Sequence, residues 1–310
     1  MSRAFFILVA VVASAAALLL LPASRAAAYA FLYVPSSQGV VRRWNLDALT
    51  DGRVPWVLSN NVGGNLSGDR APLDVLSSAF ASWENVASSK IRFAFQGVVG
   101  TRERNSGDGV NLLALGAKEN LGTGVLAATF LTSDAGGTLT DVDIVFASSV
   151  AFSTSTAPDP ASYDLEAIAT HEIGHFCGLE HTGLARATMV PYTDRGEIQQ
   201  RTLHSDDEIG VALLYPEDGF LAGTGSLSGQ ITLAGAPVFL SNVVAANING
   251  PIVASAFSAP DGSYHIDGLP PDTYVVYAEP LDGPIAPGNV GGFRAGFGGN
   301  PTSGYGTFFH

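Results

Sequence analysis

The 310-residue chain has one cysteine, Cys177, so no disulfide can form within it. Its stability must come from packing and from any ions it binds. Positive charge is also scarce. Fifteen Lys and Arg stand against 28 Asp and Glu, a formal net charge of −13. Such a chain repels phosphate backbones, which excludes nucleic acid as a partner. Charged residues of all kinds reach only 14%, and no run of like charge forms a tail. With 36 Gly and 17 Pro, this argues for strands and turns rather than long charged helices. Hydrophobic residues make up 46%, enough for a core, and the length suits two domains.

The N-terminus reads as an export signal over residues 1–30. Arg3 precedes an apolar run from Ala4 to Leu21, and Ala28-Tyr29-Ala30 has the small-x-small form of a cleavage site. Removing Arg3 and Arg25 takes the net charge from −13 to −15. The protein is therefore expected to be secreted. The run is long for a signal, so an uncleaved membrane anchor is the alternative. No other membrane contact is expected.

Beyond the signal, Val54, Trp56 and Leu58 alternate toward one face of a strand. The spacing of Leu76, Ala79, Phe80, Trp83 and Val86 predicts a helix over 72–87, with Pro72 at its first position. Strands are expected at 90–96, 110–115, 124–131 and 141–147, and helices at 163–178 and 205–215. Ser205 and Glu208 have the spacing of a capping box. The fold class is thus α/β (α+β), a layered sheet with helices over residues 31–217. Residues 218–224 read as a linker and 225–282 as a small all-β unit. Asp261-Gly262 marks a hairpin there between 255–258 and 264–266. Residues 283–310 form a Gly-rich, weakly patterned tail ending on His310.

The chemistry concentrates in His171-Glu172-Ile173-Gly174-His175-Phe176-Cys177-Gly178-Leu179-Glu180-His181. Two histidines four apart on a helix differ by about 40° in azimuth, so both imidazoles can reach one ion. Glu172 is too close to His171 to be a comfortable third ligand but can hydrogen-bond a water at the metal. Gly178 falls where the helix would stop, and the chain can then return His181 to the ion. Three neutral imidazoles leave a fourth position open, the mark of a catalytic zinc. Coincidental core histidines are the bland alternative. Five fixed positions in order, with six histidines in the whole chain, stand against it.

HExxHxxGxxH followed by Ala187-Thr188-Met189-Val190-Pro191-Tyr192 resembles the metzincin zinc proteases, and Thr182 after the third histidine resembles their matrixin branch. The resemblance covers about 35–217 and implies a twisted mixed sheet, a zinc-site helix and endopeptidase activity on protein or peptide substrates. It implies His171, His175 and His181 as ligands of one Zn2+, Glu172 as general base and Met189 as a floor beneath the histidines. Strand 124–128, with Leu126 and Ala127, would pair with substrate, and Pro191 and Tyr192 would line the pocket after the cut bond. The second, structural zinc of many matrixins is excluded by counting. His204 is the one spare histidine, and the equivalent positions are Ala128 and Val145. Asp141 and Asp143 are candidates for Ca2+, against a reading as solvated strand-edge carboxylates. Cys177 reads as a small buried hydrophobe, and no cysteine-bearing propeptide of the usual kind is expected.

Residues 225–280 resemble the carboxypeptidase regulatory-like (transthyretin-like) β-sandwich. The carrying features are Gly229-Gln230-Ile231, Asp261-Gly262-Ser263-Tyr264 and Gly268-Leu269-Pro270-Pro271-Asp272-Thr273-Tyr274. Nothing in it suggests catalysis, and His265 reads as a surface residue. A monomeric zinc endopeptidase is the leading expectation. The alternatives are a non-catalytic surface-binding or adhesion protein on a protease fold, and a zinc hydrolase for non-peptide substrates.

Overall fold

The computed structural model describes residues 30–37, 39–100, 103–298, 300–302 and 305–309. Apart from Ala30, the export signal lies outside the described residues, as does His310. No helix among the described residues is long and apolar enough to cross a membrane.

The N-terminal half contains β1 (Val54–Ser59), α1 (Pro72–Glu84), β2 (Phe93–Val99), β3 (Leu112–Ala117), β4 (Ala127–Ser133), β5 (Leu139–Ala147), α2 (Leu165–Cys177) and α3 (Ser205–Leu214). The strands form one mixed sheet in the order β2-β1-β3-β5-β4. All neighbours run parallel except the edge strand β4, which is antiparallel to β5. The alternation in β1 buries Val54, Trp56 and Leu58 toward the helices. There Trp56 stacks on Phe80 of α1 at 4.4 Å, and Phe80 meets Phe176 of α2 edge-on at 5.8 Å. The opposite face buries only a small cluster around Leu112, Ala114 and Val145.

Helix α2 is pinned at both ends. Asp164 accepts from the Ala167 N–H at 2.8 Å, and the Arg201 guanidinium grips both oxygens of that same cap. At the other end the backbone turns back on itself. The N–H groups of Gly178 and Leu179 donate to the carbonyls of His175 and Gly174 at 2.8 and 3.0 Å. Gly178 sits at φ +105°, and a Cβ there would lie 2.3 Å from the Arg42 carbonyl oxygen. The last two carbonyls of α2 find side chains. Trp44 donates to Phe176 and the Tyr215 hydroxyl to Cys177. Cys177 is fully buried.

The structure departs from the sequence reading in four places. Helix α3 is capped one residue earlier than expected. His204 Nδ1 accepts from the Asp206 N–H, and the Asp207 carboxylate accepts from the His204 N–H at 2.9 Å. Ser205 is free of capping because its hydroxyl pairs with both main-chain groups of Val253. Asp141 and Asp143 are not solvated; each is 1% exposed. Asp141 accepts the N–H groups of Gly107 and Gly109, and Asp143 that of Leu112, so the pair organises the loop before β3. Burial pushes Asp143 up to about 6.

The other two departures lie beyond the linker, in β6 (Gly225–Gln230), β7 (Asn242–Asn247), β8 (Val253–Phe257), β9 (Ser263–Leu269), β10 (Tyr274–Glu279), α4 (Gly291–Phe297) and β11 (Phe308–Phe309). Asp261-Gly262 does not close a hairpin. β8 pairs with β7 in an antiparallel sheet of order β8-β7-β10-β11, whereas β9 pairs with β6. Ser258 keeps its chain with the first sheet through bonds to Ser241 and Val238, so the turn is a corner between sheets. The weakly patterned stretch 283–310 contains an ordered helix among its described residues. This helix, α4, buries Phe293 between Tyr33 and Phe257, at 5.5 and 5.4 Å. Seven residues with three glycines would not hold a helix alone; tertiary contact does.

The two halves meet through a buried polar knot. Asp206 accepts from the Ser255 N–H at 2.6 Å and from the Thr182 hydroxyl at 2.8 Å, and Thr182 and Ser255 share a third bond at 2.9 Å. Burial, helped by the neighbouring Asp207, pushes Asp206 up to about 7, against the bonds from Thr182 and Ser255. The folded chain therefore holds a proton that the unfolded chain releases near the ordinary value of about 3.9. Its contribution to stability is full below that pH, falls as pH rises toward 7 and is flat above. Asp206→Asn should remove this dependence. Urea midpoints of variant and parent, compared from about pH 4 to 8, should diverge in the variant's favour as pH rises. A constant offset would show that Asp206 does not titrate in that window.

Candidate metal centre

His171 and His175 lie one turn apart on α2, and the turn at Gly178 returns His181 beside them. The Nε2 atoms of His175 and His181 are 3.1 Å apart, and those of His181 and His171 are 3.2 Å apart. Four nitrogens placed tetrahedrally at about 2.0–2.1 Å from zinc lie about 3.3–3.4 Å from one another, so this spacing suits that ion. The far side of each ring meets a main-chain carbonyl. His171 Nδ1 lies 2.7 Å from Thr188 O, His175 Nδ1 lies 2.8 Å from Leu179 O, and His181 Nδ1 bonds Asn289 O. A carbonyl only accepts, so each Nδ1 carries the proton and each Nε2 turns its lone pair inward. Burial, then His181 nearby, holds His171 down to about 3, against the Thr188 bond. Burial holds His175 well below its ordinary value. Both rings are neutral at neutral pH, as a ligand must be. Among the described residues these three form the one such grouping of His, Cys, Asp and Glu. The donor set fits zinc.

Glu172 faces the same cleft. Its carboxylate accepts the Thr129 hydroxyl at 2.6 Å, a residue of edge strand β4. Burial pushes Glu172 up to about 7, with the Thr129 bond opposing. The cleft encloses about 380 Å³. Leu126 and Ala127 line one wall, Pro191 and Tyr192 another, with His171, Glu172 and His181 between them.

Met189 is 2% exposed and packs against Gly174 of α2. A Cβ on Gly174 would fall 2.1 Å from its sulfur and 2.9 Å from Trp83. The Asp207 carboxylate accepts the N–H groups of Thr188 and Met189 at 2.7 and 3.0 Å. It thus fixes both the methionine and the carbonyl that aims His171.

Sequence reasoning missed four contributors. Asp207 was legible only as first-turn helix charge. Thr129 carries no motif. Glu180 lies inside the zinc motif, where its neighbour His181 was the one signal. One Glu180 oxygen accepts the His181 N–H at 2.9 Å and the other the Phe293 N–H at 3.1 Å, joining the third histidine to α4. Asn289 comes from the stretch read as a tail, and its side chain also accepts the Tyr192 hydroxyl at 3.0 Å.

Three substitutions test this arrangement. Gly174→Ala should lower the melting temperature although alanine favours helices by about 1 kcal/mol, because overpacking against Met189 costs about 1–3 kcal/mol. An unchanged or raised melting temperature would contradict the packing. Met189→Leu should cost under about 1.5 kcal/mol. Glu180→Gln turns an acceptor into a donor facing a main-chain N–H. It should weaken zinc affinity about tenfold or more in a competition titration with a chelating dye; undiminished affinity would remove Glu180 from the support of His181.

Residues 53–216 match the Matrixin family. Karilysin of Tannerella forsythia is 29% identical over 139 residues, 44% of this chain and 27% of its own length. Metalloendoproteinase 1 of Glycine max is 32% identical over 149 residues, 44% of this chain and 43% of its own. Metalloendoproteinase 2-MMP of Arabidopsis thaliana is 38% identical over 66 residues, 21% of this chain and 17% of its own. The chain spans less than half the length of each of these relatives. With more than half of its residues matching the family, and a histidine trio built for zinc at the heart of that region, the chain belongs to the matrixins.

Proposed function

We propose that this chain is a secreted zinc-dependent endopeptidase in which His171, His175 and His181 hold the metal and Glu172 is the general base. The observation that carries this reading is the meeting of three inward Nε2 atoms and a buried carboxylate in one cleft, beside the edge strand β4. Zinc at this trio supplies the Lewis acidity that polarises a carbonyl and acidifies a water. Glu172, close to neutrality in its affinity for protons, takes the proton from the attacking water and returns it to the leaving amine. Among the described residues β4 has its one sheet partner in β5, and it offers its outer edge for an extended peptide to add as a further strand. Leu126 and Ala127 flank that peptide, and Pro191 and Tyr192 form the wall of the pocket after the cut bond. Met189 is the apolar floor. The names of the Glycine max and Arabidopsis relatives support the activity, and the apolar residues 4–21 support export. The strands after residue 225 support a regulatory-like β-sandwich.

Glu172→Gln is the decisive variant. On an internally quenched peptide library the full chain should lose about 10²–10⁴-fold in kcat while retaining one zinc per chain by atomic absorption. A chelator should abolish cleavage and added zinc restore it. Activity surviving in the zinc-loaded variant would remove Glu172 from the base role.

A further inference from the structure

A second cavity, of about 530 Å³, lies on the far side of Tyr192 from the catalytic cleft; Val190 and Tyr192 line both. Residues 183–192 form one wall, and the C-terminal half supplies the other. Its volume is in the range that encloses a long side chain or small ligand. The apolar surface comes from Val190, Leu281, Pro284 and Ile285.

The charged groups have a consistent sign. The carboxylates of Glu279 and Asp282 line the cavity, and no Lys, Arg or His does among the described residues. Asn242 lines it as well and is 1% exposed. Its Nδ2 donates to Glu279 Oε1 at 3.3 Å, which orients the amide, and its Oδ1 is buried with no hydrogen-bond partner. A buried acceptor without a donor costs about 1–3 kcal/mol, which the site tolerates beside Glu279. Gly183 makes room for the amide: a Cβ there would stand 2.3–2.5 Å from its atoms.

Apolar walls ending in two carboxylates suit an aliphatic stem with a cationic head. We propose that this cavity is a substrate subsite, built jointly by the two halves, that takes a Lys or Arg side chain of the peptide on the Pro191–Tyr192 side of the cut bond. The inference rests on the endopeptidase reading for its position along the substrate. Glu279, held by the Asn242 amide, receives the N–H donors, and Asp282 at the exposed rim adds attraction.

The test uses the zinc-loaded full chain and internally quenched decapeptides with Leu after the cut bond. Either Lys or norleucine stands at the second, third or fourth following position. At one of these positions Lys should raise kcat/KM about three- to fivefold over norleucine, the scale of a partly exposed ion pair. Glu279→Gln and Asp282→Asn should each lower that ratio, and the double variant should bring it to about one. Because both peptides are read on the same protein, the ratio does not depend on how much of a variant is folded. The same pairs, fluorescently labelled, are titrated by anisotropy against zinc-loaded Glu172→Ala, where the Lys preference should reappear as tighter binding. If the wild type cleaves no peptide, the endopeptidase reading falls and the anisotropy ratio still decides the subsite. Equal binding of Lys and norleucine peptides, binding of neither, or a Lys preference that survives the double variant overturns the proposal.

Discussion

Three hydrogen bonds from imidazole Nδ1 atoms to main-chain carbonyls are what the centre depends on. They set the tautomer of each ring and aim three lone pairs at one point, and each carbonyl is fixed by different machinery. That of Leu179 follows from the α2 turn at Gly178. That of Thr188 is held by Asp207 at the start of α3. That of Asn289 belongs to the C-terminal segment, braced by Glu180 and Tyr192. Helix ends, the turn bearing Met189 and the junction between halves therefore all converge on the same few ångströms.

What was legible in the sequence is what local chemistry decides. The spacing within His171–His181 implies a helix, its stop and a return, because 3.6-residue periodicity and the glycine turn are short-range facts. The alternation of Val54, Trp56 and Leu58 and the apolar face of α1 were legible for the same reason. The rest required partners distant in sequence. Nothing near Asp141 or Asp143 announces that they turn inward to the N–H groups of Gly107, Gly109 and Leu112. Ser205 looks like a cap until Val253 claims its hydroxyl. Asp261-Gly262 has hairpin chemistry, yet Ser258 binds the preceding strand to another sheet. The glycine-rich stretch around α4 carries no periodic signal beyond Phe293 and Phe297, and its order comes from Tyr33, Phe257 and Glu180.

The acidity of the chain also takes on a local meaning. Several carboxylates are drawn inside, where Asp141, Asp143, Asp207 and Glu180 satisfy main-chain N–H groups rather than cations. A chain without disulfides uses them as buried brackets that fix a loop or a junction; Asp141, Asp207 and Glu180 each accept two or more bonds. Arg70 and Arg201 pair with Glu166 and Asp164 at the start of the zinc-motif helix, while other arginines pair with Glu84, Glu119 and Glu217.

The bond between His181 and Asn289 also orders events in time. Its partners are 108 residues apart, and synthesis runs from the N-terminus. At about 5–20 residues per second the carbonyl that aims the third histidine leaves the ribosome roughly 5–20 s after the ring it serves. Through that interval the nascent chain has its metal-binding helix but not its finished geometry. The third ring is therefore aimed only after residue 289 has been made, well after the helix that carries the other two.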